Sequence, residues 1–78
     1  NEKRVAKVLK YLRRYLNWIQ NSVFEGELTY AELKKVKSGL KRLMNTQEDS
    51  VIIFSSSLSN EYKKEIIGLD KAKETQIL

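Results

Sequence analysis

The sequence contains no cysteine, no histidine and no proline. Without cysteine no disulfide can form. Without cysteine or histidine, neither a structural zinc site nor a nucleophile of the Ser-His-Asp or Cys-His type is available. Any catalysis is therefore left to carboxylates, lysine, tyrosine or a bound hard metal ion. The absence of cysteine also fits a reducing cytoplasm, which is the expected location.

Long apolar runs are absent too. No apolar stretch reaches the roughly 18 residues of a transmembrane helix, so we expect no membrane partner. The opening residues, Asn1-Glu2-Lys3-Arg4, lack the apolar stretch of a signal peptide. The 78 residues make one domain, 1–78, with a tail over residues 70–78. A core of this size supplies only about 3–5 kcal/mol, so oligomerisation is the expected source of further stability.

Positive charge is abundant but unevenly placed. The net charge is +5, and residues 2–15 carry six cations and one acid, while residues 29–44 carry five cations and one acid. The rest of the chain is net negative. Segregation of this kind is typical of a protein that binds a polyanion such as nucleic acid. The alternative is that both segments are simply solvated, lysine-rich helices.

Residues 2–15 are predicted to form a helix with two distinct faces. Its apolar residues recur at the spacing of one buried face: Val5, Val8, Leu9, Leu12 and Leu16. Its cations recur at intervals of four, three and four, which aligns them along another, exposed face. We call these cations the cationic stripe: Lys3, Lys7, Lys10 and Arg14.

The middle of the chain predicts a hairpin followed by a second helix. Two short β-prone runs flank Asn21-Ser22, and Asn tolerates positive φ, so a hairpin is favoured over one continuous strand. Gly26 marks a bulge or a close approach. Thr29-x-x-Glu32 is a capping box that begins the helix. Gly39 inside that helix is unfavourable by about 1 kcal/mol relative to Ala, which a tight packing contact would explain. The predicted buried stripe of this helix is Leu33, Val36, Leu40 and Leu43.

Two further strands are predicted after the second helix. Residues 51–54, Val-Ile-Ile-Phe, are four consecutive apolar residues, which indicates a strand covered on both faces. The helices cover only one face, so the other needs a cover from outside them. We expect the strand to fade into a loop at residues 55–57. Residues 63–69 predict a short final strand, followed by a tail with an apolar end, Ile77-Leu78.

The predicted order is helix, hairpin, helix, strand, strand. This order fits an α+β, ferredoxin-like (split βαβ) fold with an additional C-terminal strand, provided that a first strand precedes Asn1. We therefore expect the first strand to be missing from this chain, the sheet to show an open gap, and the chain to fold poorly by itself.

The segment from Ile19 to Leu28, Ile-Gln-Asn-Ser-Val-Phe-Glu-Gly-Glu-Leu, resembles the hairpin signature of the CRISPR-associated protein two family. That signature is hydrophobic-Gln-x-Ser-Val-Phe-Glu-Gly-x-Leu. The likeness extends to Arg4-Val5, to Thr29-x-x-Glu32 and to Asp49-Ser50-Val51, and it covers roughly residues 2–58.

The resemblance implies a ferredoxin-like homodimer whose two sheets pack face to face, with each final strand extending the partner's sheet. It implies a nucleic-acid-binding role in spacer acquisition beside the CRISPR integrase subunit. The implied chemistry is Mg²⁺- or Mn²⁺-dependent endonuclease cleavage of single-stranded RNA or duplex DNA. The alternative is a non-catalytic adaptor that holds DNA between integrase dimers. The family's metal ligand is an Asp upstream of Asn1, so no metal ligand or catalytic residue is predicted within this chain.

The resemblance also suggests roles for individual residues. Arg4 would clamp a phosphate near the metal cleft, or else be a solvated cation at the helix start. Ser22 would donate to a phosphate, or satisfy its own turn. Phe24 would line the cleft, or pack in the core. With the cationic stripe, the predicted nucleic-acid-binding residues are Lys3, Arg4, Lys7, Lys10, Arg14 and Ser22.

Three further residues each have two alternative roles. Trp18 stands where relatives commonly have Arg, and it would either stack on a base or pack at the end of the sheet. Glu25 and Glu27 share one face of a strand, where they would hold Mg²⁺ or act as exposed charges that block edge-to-edge aggregation. An RNA-binding ferredoxin-like protein outside CRISPR biology is a third interpretation, weakened by the lack of an aromatic RNP motif.

Overall fold

The computed structural model describes residues 2–57 and 62–70. Two helices and four strands follow one another: α1 (Glu2–Leu12), β1 (Asn17–Gln20), β2 (Val23–Glu27), α2 (Tyr30–Leu43), β3 (Ser50–Ser56) and β4 (Tyr62–Gly68). The predicted α+β, ferredoxin-like class and element order are confirmed. Residues 71–78, including the apolar end of the predicted tail, lie outside the described residues. No helix in the described part of the chain is long and apolar enough to cross a membrane.

The strands form one mixed sheet in the order β1-β2-β3-β4. β1 and β2 are antiparallel, β2 and β3 are parallel, and β3 and β4 are antiparallel. The expected open gap is wrong, because β2 and β3 are direct hydrogen-bonded neighbours where a split βαβ unit has a strand between them. Unpaired backbone groups at the centre of a sheet are costly, and direct pairing of the two strands satisfies them.

Both helices lie on one face of the sheet and bury the core between the two layers. The largest side chains with no appreciable exposure come from α1, β2, α2 and β3: Phe24, Leu12, Leu40, Ile53 and Val36. β3 alternates, with Val51, Ile53 and Ser55 buried and Ile52 and Phe54 half-buried on the other face. The helices therefore leave one face of β3 without their cover, as the apolar run predicted.

α1 begins at the predicted residue but ends early, and one residue of its predicted buried face is exposed. It ends at Leu12 rather than at residue 15, because the chain tightens before it enters β1. The N–H of Arg14 donates to the carbonyl of Tyr11, only three residues back, at 3.2 Å. Near the start of the helix Val5 is 48% exposed, so its predicted burial is wrong. Val5 borders a cavity between α1 and the sheet and therefore lacks the packing that Val8 and Leu12 have.

The local signals around α2 are confirmed. The Thr29 hydroxyl accepts from the Glu32 N–H at 3.1 Å, and the Glu32 carboxylate accepts from the Thr29 N–H at 2.9 Å. The packing contact expected at Gly39 is present, because a Cβ there would overlap the Tyr11 hydroxyl. That hydroxyl donates to the carbonyl of Lys35 at 3.3 Å, so Gly39 lets α1 and α2 approach closely.

The predicted hairpin is also confirmed. Asn21 has φ 46°, the left-handed conformation that its turn requires. Of the two alternatives for Gly26, the close approach is correct, because a Cβ there would lie 2.8 Å from Cδ2 of Leu16. The irregularity in the hairpin falls instead between Trp18 and Gln20.

β3 is longer than predicted, whereas β4 has the predicted length and begins one residue earlier. β3 continues through Ser56 rather than fading at residue 55, because Ser55 is buried and lies between Gly26 and Lys63 in the sheet register. β4 pairs with β3 of its own chain. The exchange of a final strand between protomers involves a second chain and stays a prediction.

Candidate nucleic-acid interface

The cationic stripe lies on the side of α1 away from the sheet. Lys3, Lys7 and Lys10 are exposed on the helix, opposite the buried Val8 and Leu12. The fourth member, Arg14, is exposed in the turn that follows, with its guanidinium carbon 5.9 Å from the Tyr15 ring centroid. In the part of the chain that the structure describes, Lys7, Lys10 and Arg14 take part in no ion pair. Among the described residues, these three cations therefore present positive charge that no carboxylate pairs with.

Arg4 points to a different place from the stripe. Its Nε donates to Oδ2 of Asp49 at 2.7 Å and its Nη2 donates to Oδ1 at 3.0 Å, while Nη2 also contacts Glu48 Oε2 at 3.1 Å. Two parallel hydrogen bonds to one carboxylate are the strongest geometry that an Arg–Asp pair adopts. Arg4 is therefore held by carboxylates, and a phosphate that bound it would have to compete with Asp49.

Asp49 connects three parts of the fold. Besides binding Arg4 at the start of α1, its carboxylate accepts from the backbone N–H of Asn45 at 2.9 Å. Its carbonyl accepts from the N–H of Leu69, just after β4, at 2.9 Å. Hydrogen bonding from the Arg4 guanidinium is the largest influence on the Asp49 carboxyl and lowers its pKa. Sequence reasoning placed Asp49 before a strand but did not identify it as the partner of Arg4.

Asp49→Asn is expected to make the free energy of unfolding less sensitive to pH in the acid range. Because the folded-state pKa of Asp49 is lowered, its contribution is present above the unfolded-state value of about 3.9 and is lost as pH falls through the folded pKa. The wild type should therefore lose unfolding free energy below about pH 4. The asparagine variant should be less stable at pH 7 and show a shallower decline.

Urea titrations of both proteins between neutral pH and the acid range measure this effect. Glu32→Gln is the matched control. The pKa of Glu32 is lowered by the Thr29 N–H, the largest influence, so this substitution removes a separate acid-sensitive contribution and leaves that of Asp49 in place. Parallel pH profiles for the wild type and Asp49→Asn would contradict the role given to the Arg4–Asp49 pair.

A cavity of about 360 Å³ separates the first turns of α1 from the β1–β2 turn and the start of β3. Two predicted site residues, Ser22 and Phe24, line it. Its rim includes Glu48 and Asp49, the two residues that hold Arg4. The structure thus brings Ser22, Phe24 and the partners of Arg4 together, and it places the cationic stripe elsewhere. Phe24 is also fully buried, so it packs in the core as well as bordering the cavity.

The described residues do not fit a magnesium site. Across residues 2–57 and 62–70, no group of three acidic side chains is placed to share a metal ion. Glu48 and Asp49 are paired with Arg4. Glu25 and Glu27 do share a face, as predicted, but both are exposed and border a shallow depression beside Phe54 on the sheet face away from the helices. Mg²⁺ demands near-octahedral geometry, and exposed side chains on an open strand do not fix their oxygens in it.

Trp18 lies at the edge strand with a defined orientation. Its indole Nε1 donates to the carbonyl of Asn21 at 2.8 Å, and the guanidinium carbon of Arg13 lies 5.8 Å from its ring centroid. The side chain is nonetheless 50% exposed. Sequence reasoning did not assign a role to Arg13. The signal that could have suggested one is its position five residues before Trp18.

Comparison with known proteins gives a consistent result. Residues 1–66 match the family described as CRISPR associated protein Cas2. The CRISPR-associated endoribonuclease Cas2 2 of Archaeoglobus fulgidus is 49% identical over 71 residues, 91% of this chain and 77% of that protein. The CRISPR-associated endoribonuclease Cas2 of Methanocaldococcus jannaschii is 51% identical over 91% of this chain and 62% of that protein. The Dictyoglomus turgidum protein of the same name is 42% identical over 100% of this chain and 90% of its own length. No solved structure gives a significant match.

Proposed function

Because the chain belongs to the CRISPR associated protein Cas2 family, we propose that it binds nucleic acid through the cationic stripe during spacer acquisition, beside the CRISPR integrase subunit. The observation that carries this proposal is the exposed row of Lys3, Lys7 and Lys10 on the outer side of α1. Lysines spaced along one side of a helix neutralise successive phosphates without reading bases. Binding at this surface is therefore independent of sequence.

The sheet face away from the helices supports a homodimer. We call it the outer face, and it carries apolar residues in register across three strands: Val23, Ile52 and Ile66, with Phe54 in the next row. Ile52 and Phe54 are only half-buried within one chain. Packing a second copy of the sheet against this face covers them, and it supplies the stability that a small core lacks.

Charges on the outer face favour one orientation of that dimer. Glu25 and Lys64 flank Phe54 on its two sides, on β2 and β4. A two-fold axis parallel to β3 brings β2 of one protomer over β4 of the other, so Glu25 meets the partner's Lys64. An axis across the strands brings β2 over β2 and sets glutamates against each other, which is unfavourable.

The catalytic part of the proposal rests on relatives that are named endoribonucleases. We propose metal-dependent endonuclease activity, for which a bound Mg²⁺ or Mn²⁺ would supply charge stabilisation at the phosphate and a more acidic water. The described residues bind and position the nucleic acid but do not provide the metal ligands. A non-catalytic adaptor that holds DNA for integration is the second candidate.

An assay on the full-length protein separates the two candidates. Labelled single-stranded RNA and duplex DNA are incubated with protein in Mg²⁺, in Mn²⁺ or in EDTA, and binding is followed in parallel. Cleavage in either metal but not in EDTA supports the endonuclease. Binding without cleavage in any condition supports the adaptor. Absence of both binding and cleavage overturns the proposed function as a whole.

A further inference from the structure

Trp18 is an exposed aromatic ring whose position is fixed. Indole rings on flexible segments lose rotamer freedom when they bind, but the hydrogen bond from Nε1 to the Asn21 carbonyl already holds this one at 2.8 Å. Asn21 is itself fixed in the left-handed turn between β1 and β2. Trp18 is thus oriented before any ligand arrives, which lowers the entropic cost of stacking on it.

The ring is left open because α1 is short. In the sheet register Trp18 lies opposite Phe24, so both side chains emerge on the same face of the sheet. Phe24 is fully buried beneath the helices, whereas Trp18 is 50% exposed, since α1 ends at Leu12 and the chain turns before it covers β1. A large apolar ring therefore remains partly uncovered beside the turn.

One cation lies against this ring, and a second follows it in the sequence. The Arg13 guanidinium lies 5.8 Å from the ring centroid, and its neighbour Arg14 is the last member of the cationic stripe. A polyanion bound along the stripe on α1 would therefore extend towards Trp18. The combination of an exposed aromatic with adjacent cations is the arrangement that binds single strands, with the ring contacting a base and the cations contacting phosphates.

We propose that Trp18 and Arg13 form a stacking site for one unpaired base of a single-stranded nucleic acid, at the end of the cationic stripe. This inference rests on the proposed nucleic-acid binding. It adds that the surface distinguishes single-stranded from duplex nucleic acid. Interior base pairs of a duplex are stacked on both faces and only the two terminal pairs offer a free one, so a long blunt duplex contacts the stripe through its phosphates and presents almost no base to the indole.

The presence of a single tryptophan makes the contact directly measurable. Selectively excited tryptophan emission is recorded while the full-length protein is titrated with a short oligouridine, and fluorescence anisotropy of a labelled copy reports total binding. The oligouridine should quench the emission in step with binding. A blunt duplex should bind by anisotropy and leave the emission nearly unchanged.

An abasic strand of the same length is the matched ligand control, because it keeps the phosphates and removes the bases. It should bind about tenfold more weakly than oligouridine and should not quench. Trp18→Ala should weaken oligouridine binding by about tenfold and leave abasic binding unchanged, while Trp18→Phe should lose less. Tyr30→Ala is the matched protein control, since Tyr30 is a 67% exposed ring next to Lys34 and Lys63, near β4 at the opposite edge of the sheet from Trp18.

The outcomes separate this inference from the function on which it rests. Anisotropy that detects binding while tryptophan emission stays constant overturns the stacking site and leaves the proposed function standing. Equal affinities for oligouridine and the abasic strand overturn it as well. If Trp18→Ala does not fold, the emission and abasic measurements on the wild type still decide. Absence of any binding by anisotropy overturns the proposed function itself.

Discussion

Reversing the cationic stripe with Lys3→Glu, Lys7→Glu, Lys10→Glu and Arg14→Glu is expected to weaken duplex binding by about 100-fold or more at low salt. Each of these residues is exposed on the side of the molecule away from the sheet. Four cations that release condensed counterions become four anions that repel phosphates. The loss should be uniform across sequences, because phosphate contacts carry no base information.

A charge-retaining variant is the control for this experiment. Lys3→Arg, Lys7→Arg and Lys10→Arg keep the positive charge and the helical propensity, so affinity should stay within about twofold of the wild type. Circular dichroism should show both variants folded, since none of the substituted side chains lies in the core. Unchanged binding by the reversed variant, or a loss confined to particular sequences, would mean that the stripe is only a solvated face.

Two adjacent substitutions on β3 are expected to have different effects. Ile53→Asp should unfold the protein, whereas Ile52→Asp should dissociate the dimer. Ile53 is fully buried between the sheet and the helices, so an aspartate there leaves a charge in the core and a cavity around it. Loss of the isoleucine alone costs about 2–5 kcal/mol, comparable to the whole stability of a domain this small. Ile53→Asp should therefore unfold the protein.

Ile52 lies on the outer face and is half-buried within one chain. An aspartate at this position remains accessible to water in the monomer but would be buried in the proposed dimer. Ile52→Asp should therefore leave the helical and strand content intact and shift the protein from dimer to monomer. Light scattering gives the mass and circular dichroism gives the fold.

Ile52→Val keeps an apolar side chain on the outer face and should remain dimeric, which makes it the matched control. A wild-type protein that is monomeric at micromolar concentration would contradict the proposed dimer. So would an Ile52→Asp variant that remains dimeric.

Much of the fold was predictable because its signals are local. The capping box of Thr29 and Glu32, the left-handed Asn21 and the buried stripe of α2 depend on residues within one turn or one hairpin. The direct pairing of β2 with β3 was not predictable in the same way. It joins strands separated by a whole helix, and the choice between pairing directly and admitting another strand depends on backbone groups far apart in sequence.

The same distinction between local and long-range signals applies to the candidate site. The cationic stripe follows from helical periodicity, so its members on α1 were correctly placed on one exposed face. The partner of Arg4 is Asp49, 45 residues away, and only tertiary structure brings them together. Apolar spacing continued through Leu16 and so concealed the end of α1 at Leu12, which is the feature that leaves Trp18 exposed.

The salt dependence of duplex binding by the wild type tests the central claim most directly, because it reports how many phosphates the protein neutralises. If the four cations of the stripe contact phosphates, the logarithm of the association constant should fall against the logarithm of salt concentration with a slope of about −3 to −4. The stripe-reversed variant should show a much shallower slope wherever its binding is measurable. A wild-type affinity that does not change with salt, or an identical slope for both proteins, would contradict binding through this surface.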